Sequence, residues 1–114
     1  LPALGGQEPN YLEPSGSAIM AYSLLKGVRL GFLPGEYREY GLKAFHGICG
    51  KYLKETEQVL TLGGICLVAG LGPAGDLRRD GSFAYYMSEP VVENDAKGVG
   101  PLLLAYTELR RLEG

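Results

Sequence analysis

The residues with the clearest chemical potential stand at the predicted start of the last helix: Asp95, Lys97, Gly98 and Gly100. Backbone amides at a helix N-terminus attract anions such as carboxylates, and Lys97 would add a full positive charge. Glycine at positions 98 and 100 lets a ligand approach the backbone closely. The competing interpretation is a helix capped by Asp95, whose glycines serve close helix packing. The pattern indicates either an anion-binding site or a tightly packed helix start.

A second candidate lies in the long glycine-rich segment 63–81, because long structured loops are often functional. Four charged residues belong to it: Asp76, Arg78, Arg79 and Asp80. We interpret them first as solvated charges and alternatively as a contribution to ligand specificity. Tyr85 and Tyr86 follow the segment; they could stack on a sugar ring, although packing under the loop is the favoured interpretation. The glycines match no dinucleotide-binding or phosphate-binding loop.

Other classes of function find no support in the sequence. Cys49 and Cys66 have no metal-ligand spacing, and a disulfide between them is not favoured, which points to a reducing, cytoplasmic compartment. The single histidine, His46, is predicted to lie on a solvent-facing helix surface. We therefore expect no metal and no cofactor. A net charge of −2 without a basic stripe argues against nucleic acid as a partner, and the longest apolar stretch is too short and glycine-rich for a bilayer.

Hydrophobic spacing predicts the elements that position these residues. The segment 18–32 is apolar nearly all round, with Ser15 or Ser17 as its cap, and such a helix is buried on more than one side. The segment 35–53 has one apolar face and one polar face, typical of a helix exposed to solvent. This pairing of an inner with an outer helix is the unit from which closed α/α barrels are built.

The rest of the chain is predicted in less detail. Residues 59–62 suit a short strand, 82–88 are ambiguous, and Asn94 or Asp95 caps a last helix that runs to about Leu112. The expected fold class is all-α, with αα-hairpins, a long glycine-rich loop and room for a short β-hairpin. We treat residues 1–114 as a single partial domain.

Three stretches of the sequence resemble one family of carbohydrate enzymes. They read YLEPSGSAIMAY at 11–22, GGICLVAGLG at 63–72, and YYMSEP at 85–90 followed by NDAKGVG at 94–100. In this order and spacing they resemble glycoside hydrolase family 105, the unsaturated rhamnogalacturonyl hydrolases, with the family 88 unsaturated glucuronyl hydrolases further off. Pro14 departs from the family pattern, in which a small hydroxyl residue is usual before the serine.

The resemblance implies a C-terminal fragment of an (α/α)6 barrel. Such enzymes remove a 4,5-unsaturated uronic acid from pectin-derived oligosaccharides. An aspartic acid protonates the sugar double bond, water adds, and the hemiketal collapses, which differs from the two-carboxylate scheme of ordinary glycosidases. The catalytic aspartate and most sugar-contacting residues lie earlier in such chains. The resemblance therefore places no catalytic residue in this chain, which we expect to be inactive alone.

The resemblance also suggests which residues would meet an oligosaccharide substrate. Glu13 and Ser15 stand at the start of an inner helix, near a barrel mouth; a cap and a turn are favoured over direct sugar contact. Lys97, Gly98 and Gly100 would meet the uronate carboxylate. One rival hypothesis is a non-catalytic helical interaction module that forms a homo-oligomer through exposed apolar inner faces. Another is a carbohydrate-binding module without hydrolysis.

Overall fold

A computed structural model describes residues 4–75 and 77–113 and shows a mostly helical chain with a small β-hairpin, as expected. The elements in chain order are α1 (Pro14–Arg29), α2 (Tyr37–Tyr52), β1 (Leu53–Thr56), β2 (Val59–Leu62), β3 (Ile65–Cys66), α3 (Phe83–Ser88), β4 (Val91–Val92) and α4 (Ala96–Glu113). In this part of the chain no helix has the length and hydrophobicity that crossing a membrane requires.

Helix α1 begins earlier than predicted because Glu13, and not Ser15 or Ser17, is its N-cap. The Glu13 carboxylate accepts a hydrogen bond from the Gly16 amide at 3.0 Å and another from the Ser15 hydroxyl at 2.7 Å. Pro14 is the first helical residue, a position where its fixed φ fits and its missing N–H costs nothing. The helix also ends before position 32, where Gly31 adopts a φ of +79°.

Small side chains let α1 pack closely against α2 on one side and α4 on the other. Ala18 and Ala21 of α1 and Ala105 of α4 are fully buried. A Cβ atom on Gly41 of α2 would lie only 2.8 Å from Cγ of Leu25. The buried core comprises Ala18, Ala21, Phe45, Ile48, Leu62, Ile65, Leu102 and Ala105.

The predicted contrast between an inner and an outer helix holds for α2 and only partly for α1. The polar face of α2 is exposed, including His46, while Phe45 and Ile48 are buried. Helix α1 contacts two helices, yet Ile19 and Met20 remain 53% and 58% exposed. The prediction that α1 is buried on more than one side is confirmed, while no element of the described chain covers the flank that carries Ile19 and Met20.

The β-hairpin includes a strand that the sequence did not reveal. Strand β1 pairs antiparallel with β2, with Leu53 opposite Leu62 and Thr56 opposite Val59. Glu57 and Gln58 form the two-residue turn with φ values of 48° and 68°. Such turns usually carry Asn-Gly or Asp-Gly, which tolerate this backbone region. The polar residues 54–58 therefore gave neither a strand pattern nor a turn signal.

A second, two-residue pairing joins the segment after the hairpin to the segment before α4. Ile65 pairs with Val92 and Cys66 with Val91. The turn into β3 places Gly64 at a φ of +75°, where a Cβ atom would lie 2.3 Å from the ring of Tyr52. Only glycine satisfies both the backbone angle and the space.

An ion pair at the far end of α1 joins it to α4. Two nitrogens of Arg29 donate to the two carboxylate oxygens of Glu108 at 2.7 and 2.9 Å. The Glu108 side chain is 5% exposed and that of Arg29 34%. The hydrogen bond from Arg29 is the main reason why the pKa of Glu108 is lowered. Such bidentate geometry orients as well as attracts, so the pair fixes how the two helices cross.

We predict that Glu108→Gln lowers the thermal midpoint by several degrees at neutral pH, because it removes the charge that Arg29 faces. A lowered folded-state pKa gives stability that is present above the ordinary pKa of 4.5 and is lost as pH falls through the folded-state value. The gap between wild type and variant should close on acidification, as calorimetry at several pH values can show. The control is Glu113→Gln, which removes an exposed ion pair to Arg110 and should change little.

Candidate functional site

A cavity of about 340 Å³ opens where the N-terminal ends of α1 and α4 meet the segment after β3. Its lining comprises Glu13, Ser15, Cys66, Leu67, Val68, Ala69, Tyr86 and Lys97. The structure thus brings together Glu13, Ser15 and Lys97, which the sequence analysis singled out from two distant stretches. The glycines at 98 and 100 do not line the cavity.

Glu13 forms the junction between the start of α1 and the wall of the cavity. One carboxylate oxygen accepts the Cys66 amide at 2.9 Å, and the other accepts from Ser15 and Gly16. Since both oxygens are occupied by donors of this chain, Glu13 shapes the cavity as a cap and a tie. This agrees with the interpretation that was favoured over direct ligand contact.

The start of α4 is capped from within the chain. The Asp95 carboxylate accepts the Lys97 amide at 2.9 Å, and its carbonyl accepts the amides of Gly98 and Val99, each at 3.0 Å. The expectation that free amides at 97–99 receive an anion is therefore wrong, because Asp95 already occupies them. The Lys97 ammonium donates to the same carboxylate at 2.7 Å, and this hydrogen bond is the main cause of the lowered pKa of Asp95.

Lys97 nevertheless keeps access to the cavity. Its side chain is 53% exposed, whereas that of Asp95 is 23% exposed. An ammonium group has three donors, and Asp95 takes one of them. Lys97 can therefore bind a second anionic group while Asp95 holds it in place.

Gly98 has a structural reason to lack a side chain. A Cβ atom there would lie 2.6 Å from Cδ1 of Ile65, a fully buried core residue. Gly100, by contrast, has no heavy atom within 4 Å of where its Cβ would lie. Close packing therefore explains why residue 98 is a glycine. It does not explain Gly100, because a side chain would fit there.

A buried carboxylate beneath the loop, which sequence reasoning missed, organises the charged residues of this segment. Glu89 is 5% exposed and accepts Arg78 at 3.1 Å, with Arg79 at 3.8 Å. The interpretation of these arginines as solvated charges fits Arg78, whose side chain is 56% exposed, and fits Arg79 less well at 26%, and both also pair with Glu89. Asp80 accepts the Ser82 amide at 2.9 Å before α3, and Asp76 lies outside the described residues. The sequence feature that could have predicted this cluster is the pair of adjacent arginines that precedes an isolated Glu89.

The two neighbouring tyrosines have different places. Tyr85 is 7% exposed and its hydroxyl accepts the Gly70 amide at 3.1 Å, so it packs under the loop. Tyr86 lines the cavity and stacks on Tyr11 with ring centroids 5.9 Å apart. The pKa values of the Tyr11 and Tyr86 hydroxyls are both raised, mainly because burial removes these groups from water. An aromatic edge is therefore available at the cavity.

The remaining candidates stay outside this chemistry. Cys49 and Cys66 are both free thiols, and burial raises the pKa of Cys49. Within residues 4–75 and 77–113 no group of histidine, cysteine, aspartate and glutamate side chains could hold a metal ion. The cavity thus offers one ammonium, a serine hydroxyl, an aromatic ring and loop backbone, a set suited to binding a hydroxylated anion.

Comparison with known proteins identifies the family. Residues 3–113 match the family model described as Glycosyl Hydrolase Family 88. The chain belongs to glycosyl hydrolase family 88. A solved structure of a family 105 glycoside hydrolase from C. acetobutylicum is similar to this family 88 chain, with a TM-score of 0.87 and 49% sequence identity. The resemblance drawn from the three sequence stretches is confirmed.

Two further relatives show how much of such a protein the family 88 chain represents. It is 45% identical over 108 residues to Protein Atu3128 of Agrobacterium fabrum and, equally, to the 24.9 kDa protein in picA locus of Rhizobium radiobacter. Each match covers 90% of this chain and 46% of the relative. The solved family 105 structure is covered to 29%, against 94% of this chain. The chain therefore spans less than half the length of these relatives.

We predict opposite effects for alanine at the two glycines of α4. Gly98→Ala forces a methyl group into Ile65 and should lower the free energy of unfolding by ~1–3 kcal/mol. Gly100→Ala meets no atom and replaces a poor helix former, so it should raise stability by ~0.5–1 kcal/mol. Urea unfolding measures both. Equal effects at the two positions would contradict the packing assigned to Gly98.

Proposed function

We propose that this chain supplies one wall of the substrate site in a glycosidase of the (α/α)6-barrel type. The proposed substrate is a pectin-derived rhamnogalacturonan oligosaccharide that ends in a 4,5-unsaturated uronic acid, which is removed by hydration of its vinyl-ether double bond. The observation that carries the proposal is the meeting of Lys97, Ser15 and Tyr86 in one cavity of a family 88 chain. The choice of substrate rests on the resemblance described above.

Each of the three residues fits a different part of a uronic acid. The Lys97 ammonium would donate to the carboxylate while Asp95 orients it. The Ser15 hydroxyl, whose proton goes to Glu13, can accept a hydrogen bond from a sugar hydroxyl. The Tyr86 ring would pack on the apolar face of the sugar. Together they bind and orient the substrate.

The same geometry assigns no proton donor to this chain. Glu13 is the one carboxylate that lines the cavity in the described part of the chain, and three donors already point at its oxygens. These contacts hold Glu13 as a cap and a tie, so we assign it no role as the proton donor. We therefore propose that the proton comes from an aspartic acid outside this sequence, and that the chain alone binds without turning over.

A binding and activity experiment with an unsaturated uronyl disaccharide tests this function. The isolated chain should leave the ultraviolet absorbance of the double bond unchanged, while the disaccharide shifts the NMR signals of Ser15, Tyr86 and Lys97. Lys97→Ala should weaken binding about two- to fivefold, the effect of losing ~0.3–1 kcal/mol from a solvent-accessible charge. Lys43→Ala, on the exposed face of α2, is the matched control and should leave affinity unchanged.

Three results would contradict the proposal. Decay of the double bond that follows the chain through repeated purification would place a proton donor within it. Signal shifts confined to residues away from the cavity, or equal affinity of wild type and Lys97→Ala, would remove Lys97 from the site. A neutral disaccharide should bind more weakly than the uronyl one, since it lacks the carboxylate.

A second candidate function is favoured by the uncovered flank of α1. Leu12, Ile19 and Met20 are 68%, 53% and 58% exposed. Leu12 and Met20 also line an apolar groove of about 580 Å³ together with Gly16 and Ala44. Exposed apolar patches of this kind often mark interaction sites. A helical interaction module would use this flank to bind a second copy of the chain.

We predict that the chain self-associates at micromolar concentration and that Met20→Glu weakens this association about tenfold by placing a charge in the contact. Light scattering over a dilution series provides the measurement. Ser23→Glu puts the same charge on an exposed polar position of the same helix and should have little effect. A wild-type chain that is monomeric throughout the series would count against the interaction module.

A further inference from the structure

We propose that Tyr85 is a positioning residue: its hydroxyl holds the Gly70 amide while its ring lies against Arg78, the ion-pair partner of Glu89, and it so fixes the 67–70 loop that walls the cavity. This inference rests on the proposed function, because it concerns the same cavity. It assigns a role to the buried ionic cluster beneath the loop, whose members do not line the cavity themselves.

The hydrogen bonds of Tyr85 have a defined direction. Its hydroxyl oxygen accepts the Gly70 amide at 3.1 Å. A phenol has one proton of its own to donate, and an ionised carboxylate can only accept. The Tyr85 hydroxyl therefore keeps its own proton for a second acceptor, and its interaction with the nearby carboxylate is the main reason why the pKa of Glu89 is lowered.

Glu89 is held in place by groups that also hold the tyrosine ring. Arg78 donates to its carboxylate at 3.1 Å, and the guanidinium carbon of the same residue lies 5.7 Å from the Tyr85 ring centroid. A cation over an aromatic face is attracted to it. Arg79 adds a second positive charge 3.8 Å from Glu89. Tyr85 thus stands between a fixed charge and the loop backbone.

Backbone hydrogen bonds also hold the loop at its two ends. The Leu67 amide donates to the Pro90 carbonyl at 2.9 Å, and the Gly72 amide donates to the Arg79 carbonyl at 3.3 Å. Between them the Val68 carbonyl accepts a hydrogen bond from the Cys66 thiol, a weak donor, at 3.5 Å. The Gly70 contact is the central tie, and the wall residues 67–69 lie directly before it.

Tyr85→Phe tests the assignment because it removes the hydroxyl and keeps the ring. In the full chain, Gly70 amide hydrogen exchange should accelerate about tenfold, corresponding to the loss of one hydrogen bond. The amides of α1 and α2 should exchange as in wild type. Affinity for an unsaturated uronyl disaccharide should fall about three- to tenfold. Tyr106→Phe, which removes a hydroxyl bound by exposed Arg110, is the control and should change neither quantity.

A second variant separates the role of the hydroxyl from general loss of stability. Glu89→Gln removes the charge that holds Arg78 against the Tyr85 ring and leaves the Tyr85 hydroxyl in place, so Gly70 should exchange faster than in wild type and more slowly than in Tyr85→Phe. If Tyr85→Phe accelerates exchange of Gly70 and of the α1 amides by the same factor, the proposal is overturned. Unchanged Gly70 exchange, or accelerated exchange with unaltered affinity, overturns it as well.

The failure of the proposed function would look different. If wild-type chain does not bind the disaccharide, yet Tyr85→Phe selectively accelerates Gly70 exchange, the result supports the Tyr85 anchor and contradicts the proposed ligand. The exchange measurement needs no ligand, so it decides the anchoring step independently.

Discussion

The close approach of α1 to both neighbouring helices is the constraint on which the rest of the structure depends. Ala18 and Ala21 leave room for α4 and α2 to pack at short distance. Ala105 of α4 and Gly41 of α2 are equally small at these contacts. Larger side chains at these positions would move α2 and α4 apart. Because α4 carries Lys97 and Glu13 caps the start of α1, the same packing sets the distance across the cavity.

Two ties preserve that arrangement at opposite ends of α1. At its start, Glu13 joins the first turn to the Cys66 amide, so the wall after β3 moves with the helix. At its end, Arg29 holds Glu108 of α4. The residues that line the cavity are therefore distant in sequence, and their relative positions are fixed by their contacts with α1. Carboxylates serve this purpose well, since each can accept several directed hydrogen bonds.

Much of the helical architecture could be predicted from the sequence, and the details of the site could not. Periodicity located α2, the one-sided helix, and the three family stretches indicated that Glu13, Ser15 and Lys97 belong together. Periodicity does not show which group accepts hydrogen bonds from the first amides of a helix. Capping of α4 by Asp95 and binding of an external anion were therefore both possible. The Glu89 cluster was missed because a salt bridge between a loop and a helix end leaves no regular spacing. The exposed flank of α1 has the hydrophobic residues of a protein core. Hydrophobicity predicts that such a face is buried, but it does not say which part of which chain covers it.

The contact between Gly64 and Tyr52 has a consequence for how this protein can vary. A side chain at position 64 would be opposed twice, by a left-handed backbone and by the tyrosine ring 2.3 Å from its first atom. A smaller residue at position 52 would remove the steric obstacle, but the left-handed backbone at position 64 would remain. The Tyr52 hydroxyl also donates to the Leu12 carbonyl, so a smaller residue at 52 would release the segment ahead of α1. Replacing Tyr52 therefore does not by itself free position 64 to vary, and it would change the entry to α1 as well.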